Sequence, residues 1–99
     1  MNLEELRQEI NQIDDELVVL LEKRMKLVNQ VATYKQETGK AALDTKREEA
    51  ILGRVADHVE NPVYKDTILA TFKDILKNSR AYQEQKKAWR KWKILSPSA

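Results

Sequence analysis

The sequence predicts an all-α fold in a single domain, residues 1–99. Two observations support this. Only two of the 99 residues are Gly and two are Pro, so the chain has little of the turn chemistry that a sheet needs. Apolar residues also recur at steps of three and four in three segments, which is the spacing of one helix face. We therefore expect three helices per chain: a very long first helix, a short second one and a long third one.

The first helix should begin near Asn2, which can cap it, and its apolar stretch runs from Leu3 to roughly Lys35. Glu37-Thr38-Gly39-Lys40 should end it, with Gly39 as a left-handed C-cap. About 35 residues make a rod of roughly 50 Å. A compact domain of this length has a radius of gyration of only about 13 Å. The apolar seam of the rod should therefore extend beyond its own chain, and a second copy should cover it in a homodimer. This seam consists of Leu3, Leu6, Ile10, Ile13, Leu17, Leu20, Leu27, Val31 and Tyr34.

The second helix should begin near Asp44 or Thr45, with Glu48 closing a capping box on Thr45. Its apolar face carries Leu52, Val55 and Val59, and Asn61-Pro62 should end it. The third helix should run from about Val63 into the eighties. Its apolar stripe consists of Ile68, Leu69, Phe72, Ile75 and Leu76.

A basic C-terminal extension, residues 86–99, follows the core of the domain, residues 3–85. It contains Trp89 and Trp92. We expect it to continue the third helix and to rest its tryptophans on the dimer.

Composition narrows the possible chemistry. The chain has no Cys, which excludes disulfides and thiolate zinc sites, and its one His, His58, cannot form a multi-His metal site. A formal charge of +2 does not by itself indicate a polyanionic partner. The acidic N-terminus has no signal-peptide core, and no run reaches the length of a membrane span. We expect a soluble cytoplasmic protein without metal or cofactor.

Polar side chains occupy positions on each helix where apolar residues are expected. Arg24 interrupts the seam of the first helix, Lys35 lies beside it, Glu48 shares a face with the apolar residues of the second helix, and Ser79 and Gln83 continue the stripe of the third. Such side chains are costly in a core unless they meet partners or a ligand. The two cations lie about 16 Å apart along one face. The gap between them would suit a small dianion.

Arg7 lies beside the same seam, about 25 Å from Arg24 along the helix and too far away to join a site in its own chain. In an antiparallel dimer centred near Leu17 and Val18, the partner's Arg7 would arrive between Arg24 and Lys35. The dimer and the site thus form one hypothesis.

Each of these residues also has a simpler explanation. Arg24 could be a member of a buried salt bridge, and Lys35 could extend to water near a helix end. The segment Asp44–Glu48 could be merely a capped helix start. Ser79 and Gln83 could mark where the third helix leaves the core. The occurrence of all these features together, across three helices, favours a binding site.

The chain resembles the small all-helical chorismate mutases over about residues 3–85. Each matching element is weak alone, but their order and spacing together are specific. The residues before Asp44 depart from the family, which often has Pro there where this chain has Ala41-Ala42-Leu43, and the extension lies outside the pattern. The matching elements are Arg7 with Ile10, Ile13, Asp14 and Leu17; Leu20-Leu21-x-x-Arg24; Val31-x-x-Tyr34-Lys35; Asp44-x-x-Arg47-Glu48; and Ser79-x-x-x-Gln83.

The resemblance implies an intertwined homodimer of three-helix chains with two active sites. It also implies a cofactor-free Claisen rearrangement of chorismate to prephenate, on the route to phenylalanine and tyrosine. Arg24 and the partner's Arg7 would bind the two substrate carboxylates, and Arg47 would add positive charge near them. Lys35 and Gln83 would hydrogen-bond the ether oxygen.

The remaining roles follow from the same resemblance. Glu48 and the backbone at Asp44 would hold the ring hydroxyl, and Ser79 would line the carboxylate end of the site. A unimolecular rearrangement needs positioning of the substrate and stabilisation of growing charge rather than a nucleophile, metal or redox cofactor.

Three other functions compete with this interpretation. An isochorismate-pyruvate lyase would use much the same cations on the same scaffold. A non-enzymatic helical dimer would need none of them. A nucleic-acid binder would use the basic residues 86–93 with stacking tryptophans. We do not expect nucleic-acid binding, because basic ends with aromatic anchors more often pack on a neighbouring surface.

Overall fold

A computed structural model describes the backbone of residues 2–95 and the side chains of residues 2–89. Its helices are α1 (Leu3–Thr38), α2 (Thr45–His58) and α3 (Lys65–Leu95), with one turn of 3-10 helix at Pro62–Tyr64. No strand occurs in the described part of the chain. The all-α prediction of three helices, long, short and long, is confirmed. None of the helices within residues 2–95 is long and apolar enough to cross a membrane.

Both ends of α1 have the predicted caps. The side chain of Asn2 accepts a hydrogen bond from the Glu5 backbone N–H at 2.8 Å. Gly39 has φ 70°, the left-handed conformation that side-chain-bearing residues rarely adopt, and its N–H donates to the Lys35 carbonyl. The helix ends at Thr38, directly before this glycine, as predicted.

The start of α2 corrects one prediction. Asp44 is the N-cap, and its Oδ1 accepts from the Arg47 N–H at 3.0 Å. The capping box between Thr45 and Glu48 does not form, because with Asp44 as the cap the N3 position is Arg47 rather than Glu48. Glu48 is thereby left free to turn its carboxylate toward α3.

The helix α3 holds the chain together, since α1 and α2 both pack on it. The buried residues are few: Ala32 on α1, Ala42 in the connector, and Leu76 and Ser79 on α3. The helix α3 continues to Leu95, so the prediction that the extension prolongs it is confirmed for the described backbone. Trp92 lies outside the described side chains.

The first residue of the extension is tied to α1. The Lys86 ammonium donates to the backbone and side-chain oxygens of Asn29, at 3.2 and 2.5 Å, and to Thr33 Oγ1 at 2.8 Å. The Tyr82 hydroxyl donates to the same Asn29 side chain at 3.0 Å. These bonds fix the register of α3 against α1, and all three protons of Lys86 serve this contact.

The chain is elongated rather than compact. Its Cα radius of gyration is 17.7 Å and its extents are 62 × 31 × 16 Å. Every side chain from residue 2 to residue 23 is exposed, and Arg24 is the first along α1 that is not. About two thirds of the seam of α1 therefore projects from the body of the chain with its apolar residues uncovered.

Candidate active site

The three helices enclose a pocket of about 270 Å³ beside the C-terminal half of α1. Leu27, Val28 and Val31 form its apolar wall on α1, Ile51 contributes from α2, and Leu76 from α3. Seven of the eight predicted site residues line it. They are Arg24, Lys35, Asp44, Arg47, Glu48, Ser79 and Gln83.

Arg24 enters the pocket from α1 and is held by α3. Its Nη1 donates to Ser79 Oγ at 2.5 Å, and that hydroxyl donates in turn to the Ile75 carbonyl at 2.8 Å. Ser79 is only 5% exposed, so it does not mark the point where α3 leaves the core. One guanidinium nitrogen is committed to this contact, and the other N–H groups remain for a ligand.

Lys35 lies at the opposite end of the pocket, one turn before the end of α1. Its Nζ donates to the Ala42 carbonyl at 2.7 Å, so the helix is joined to the connector that leads into α2. The residue as a whole is half-buried. It has three donors, and this contact uses one, which leaves two for a bound group.

Gln83 places an unsatisfied amide in the pocket. Its Oε1 is buried and has no hydrogen-bond partner. Buried polar atoms without partners are rare, and one that lines a cavity is suited to bind a ligand. A half-turn of the amide exchanges the oxygen for the NH₂ group, so Gln83 can offer either an acceptor or a donor at this point.

The start of α2 supplies the remaining polar wall. Glu48 turns toward α3, where its Oε2 lies 2.8 Å from Arg80 Nε. Arg80 was not among the predicted site residues, although its spacing contained the signal. It follows Leu76 by four residues and precedes Gln83 by three, so all three share one helix face.

The charges around the pocket favour an anion. Its lining includes four cationic side chains and two carboxylates, a formal net charge of +2. One of the two carboxylates, Asp44, caps α2. The arrangement can bind a small dianion between Arg24 and Lys35, and it can stabilise negative charge that develops near Lys35 and Gln83.

Arg7 does not reach this pocket. It is exposed on the projecting half of α1, about 25 Å from Arg24 along the helix axis. A second, larger cavity of about 630 Å³ lies between α2 and α3. It is lined mainly by apolar residues, among them Val55, Ile68 and Phe72, and contains none of the predicted site residues.

Fold and pocket together define a class: small all-helical domains in which long helices bring a set of cations around a pocket for a small anion. Comparisons with known proteins agree. The family model that describes chorismate mutase type II matches residues 6–84. The chain belongs to the chorismate mutase type II family.

Two solved structures have the same fold. One is a chorismate mutase from Thermus thermophilus in form II, with a TM-score of 0.77 and 32% sequence identity over 83% of this chain and 93% of that chain. The other is the same organism's chorismate mutase in form I, with a TM-score of 0.70 and 32% identity over 78% and 96%. The comparison with curated proteins gave no match.

Family membership confirms the resemblance that the residue pattern indicated and, with it, an isomerase of the chorismate mutase type. The match ends at residue 84, just before the basic extension begins. The fold was therefore evident in the apolar spacing along three helices, and the class of activity was implied by the resemblance of the motif residues to this family.

Proposed function

We propose that this protein rearranges chorismate to prephenate without a cofactor, in the cytoplasmic synthesis of phenylalanine and tyrosine, and that it works as an intertwined homodimer. The observation that carries the proposal is the pocket between α1, α2 and α3, where a net positive lining surrounds a buried, unpartnered Gln83 amide oxygen. Its volume of about 270 Å³ lies just below the range of about 300–1,000 Å³ for small-molecule sites.

The substrate carboxylates are bound at the end of the pocket near Ser79. Arg24 takes one of them with the N–H groups that its bond to Ser79 leaves over. Arg47, which lines the same pocket, adds positive charge. The partner's Arg7 binds the second carboxylate. With both carboxylates held, the flexible enolpyruvyl chain stays over the ring, and the entropic part of the barrier falls.

Lys35 and Gln83 act on the bond that breaks. As the C–O bond lengthens, negative charge grows on the ether oxygen. The Lys35 ammonium, held in place by the Ala42 carbonyl, and the Gln83 amide donate hydrogen bonds to that oxygen. Donors that are already oriented stabilise the transition state without reorganising at the moment of reaction.

The ring hydroxyl is held by the start of α2. The Glu48 carboxylate accepts a hydrogen bond from it, and the backbone at Asp44 provides a second contact. The capping of α2 by the Asp44 side chain fixes the position of this first turn relative to Lys35 and Ala42.

The dimer rests on the uncovered seam of α1. The side chains of Ile10, Ile13, Leu17 and Leu20 are 46–60% exposed in the single chain. Each such side chain contributes about 1.5–3 kcal/mol when it is fully buried. An antiparallel second copy of α1 covers them, and it brings the partner's Arg7 to the open side of the pocket.

One assay tests the proposed activity. The protein is incubated separately with chorismate and with isochorismate, and the products are identified. Loss of chorismate absorbance with formation of prephenate supports the proposal. Release of pyruvate from isochorismate, without prephenate from chorismate, would instead identify a lyase.

A second measurement separates an enzyme from a purely structural dimer. Arg24→Ala should keep its helix content and its oligomeric state but lose turnover of chorismate. Unchanged turnover would remove Arg24 from the site.

A further inference from the structure

The ion pair between Glu48 and Arg80 crosses the pocket wall from α2 to α3. The two charged atoms, Glu48 Oε2 and Arg80 Nε, are 2.8 Å apart, and the side chains are 20% and 34% exposed. Both residues line the pocket. The pair therefore belongs to the lining of the proposed active site and not to the outer surface.

The contact has an unusual geometry. Arg80 Nε is buried and lies against the carboxylate, yet its N–H is not aligned for a hydrogen bond to any acceptor. Among the described residues, no other donor reaches the Glu48 carboxylate. The carboxylate is thus compensated in charge at Oε2, while Oε1 has no donor among the described residues and remains able to accept a hydrogen bond.

Such compensation matters in a site for a dianion. An isolated carboxylate in the wall would repel the carboxylates of the substrate, and this repulsion is strong where water is partly excluded. A carboxylate with a cation held against it can accept from a neutral hydroxyl without repelling the rest of the ligand. Arg80 meets this need from a neighbouring helix, one residue after the serine that holds Arg24.

We propose that Arg80 is a positioning residue: it neutralises Glu48 and turns its carboxylate into the pocket, so that Glu48 serves as the hydroxyl acceptor of a dianionic substrate. This inference rests on the proposed function. It assigns Arg80 no contact with the substrate carboxylates, which separates its role from those of Arg24 and Arg47.

A double-mutant cycle tests the inference, using Arg80→Met, Glu48→Gln and the double variant in the full-length protein, with kcat and KM for chorismate measured separately. Arg80→Met should raise KM roughly tenfold and change kcat less than threefold, because the uncompensated carboxylate repels the dianion equally in the ground state and in the transition state. In the Glu48→Gln background, the same substitution should change KM less than threefold, because no negative charge remains to be compensated.

Two further variants act as controls. Arg80→Lys keeps the positive charge and should restore KM to within threefold of the wild-type value. Arg54→Met removes an exposed arginine that lies on the wall of the other cavity, and it should leave both constants unchanged. Circular dichroism of each variant checks the helix content, and Arg80→Gln, which also removes the charge, replaces Arg80→Met in the cycle if that variant does not fold.

The outcomes separate three explanations. If Arg80→Met raises KM equally with Glu48 and with Gln at position 48, Arg80 binds the substrate directly and the inference is wrong. If it lowers kcat and leaves KM unchanged in both backgrounds, the pair plays no part in binding, and the inference is again wrong. If the wild-type protein does not convert chorismate at all, the proposed function itself fails, whatever the cycle shows.

Discussion

The two halves of α1 follow the same apolar pattern but have different surroundings. In the N-terminal half, residues 3–23, every side chain is exposed. In the C-terminal half, residues 24–38, a second face packs on α3, and Ala32 on this face is only 1% exposed. The seam itself stays open in both halves, since Leu27 is 62% and Val31 45% exposed. One face of the helix therefore folds the chain, and the other is the face that the proposed dimer would cover.

The boundary between these halves falls at Arg24. This residue is the first along α1 that loses exposure, and it is also the residue that breaks the apolar seam. The polar interruption at Arg24 is therefore not a defect in the apolar seam. It marks the point where the body of the chain begins and where the pocket opens.

The largest expected effect comes from mixing two inactive variants. Arg7→Ala removes a cation from the N-terminal half of α1, and Arg24→Ala removes one from the C-terminal half. Each substitution should lower kcat/KM by roughly 10²- to 10³-fold. If each site combines Arg24 with the partner's Arg7, a mixed dimer holds one intact site. Random reassortment then restores about a quarter of the wild-type rate. The rate is measured after the chains are mixed, unfolded and refolded together.

The control for this experiment mixes Arg24→Ala with Lys35→Ala. Both residues lie in the same half of α1, so one chain supplies both of them to a given site. Every site of a mixed dimer then contains one of the two substitutions, and no activity should return. Recovery of activity in this control mixture would contradict the shared site. So would the absence of recovery when Arg7→Ala and Arg24→Ala are mixed.

A substitution in the pocket should make activity depend on pH. Gln83→Glu replaces an amide donor with a carboxyl group whose ordinary pKa is about 4.3. At pH 8 the ionised carboxylate cannot donate to the ether oxygen, and kcat/KM should fall roughly 10²- to 10³-fold. Activity should recover as the pH falls and the carboxyl group gains a proton.

The matched control is Gln85→Glu, which adds the same charge two residues further along α3, at an exposed position. Its pH profile should follow that of the wild-type protein. Equal turnover of Gln83→Glu and the wild-type protein at pH 8 would remove Gln83 from the reaction.

A charged residue in the seam tests whether the N-terminal half of α1 forms the dimer contact. Leu17→Glu places a carboxylate where the two copies of α1 should meet, so the dimer dissociation constant should rise roughly 10²-fold. Sedimentation measures the assembly, and the loss of activity on dilution should follow it. Gln8→Glu adds the same charge on nearly the opposite face of the helix and should leave the assembly intact. An active monomer would show that one chain completes the site alone.

The smallest effect concerns the end of α1. Gly39→Ala should destabilise the fold by about 1 kcal/mol, because φ 70° strains a residue with a Cβ, although no atom lies within 4 Å of the added methyl group. Gly53→Ala meets equally open space but lies inside α2 with ordinary helical φ, so it should stabilise the fold by about 0.5–1 kcal/mol. Urea unfolding of both variants measures the change in unfolding free energy that each substitution causes. If both changes had the same sign, the assignment of Gly39 as the left-handed cap would be wrong.

Most of the pocket could be predicted because its residues stand out along single helices. Arg24 and Lys35 are cations on an apolar face, and Ser79 and Gln83 continue a stripe that should be hydrophobic. Arg80 shares a helix face with Leu76 and Gln83 but was not predicted, because a long cation on an amphipathic helix is ordinary until its neighbour is known. The capping box failed for a related reason: two adjacent residues, Asp44 and Thr45, are both good N-caps, and local sequence does not choose between them.

By itself, the sequence determined the helices and their caps at Asn2 and Gly39, because helical periodicity and capping act within a few residues. It also indicated the family, through the resemblance of its motif residues to those of the small helical chorismate mutases. Only the tertiary structure decided which polar groups meet. It joined Arg24 to Ser79 across 55 residues of sequence and Lys86 to Asn29 across 57. It also set Glu48 against Arg80. These contacts depend on how α3 packs against α1 and α2, and that packing is fixed by side chains far apart in the chain.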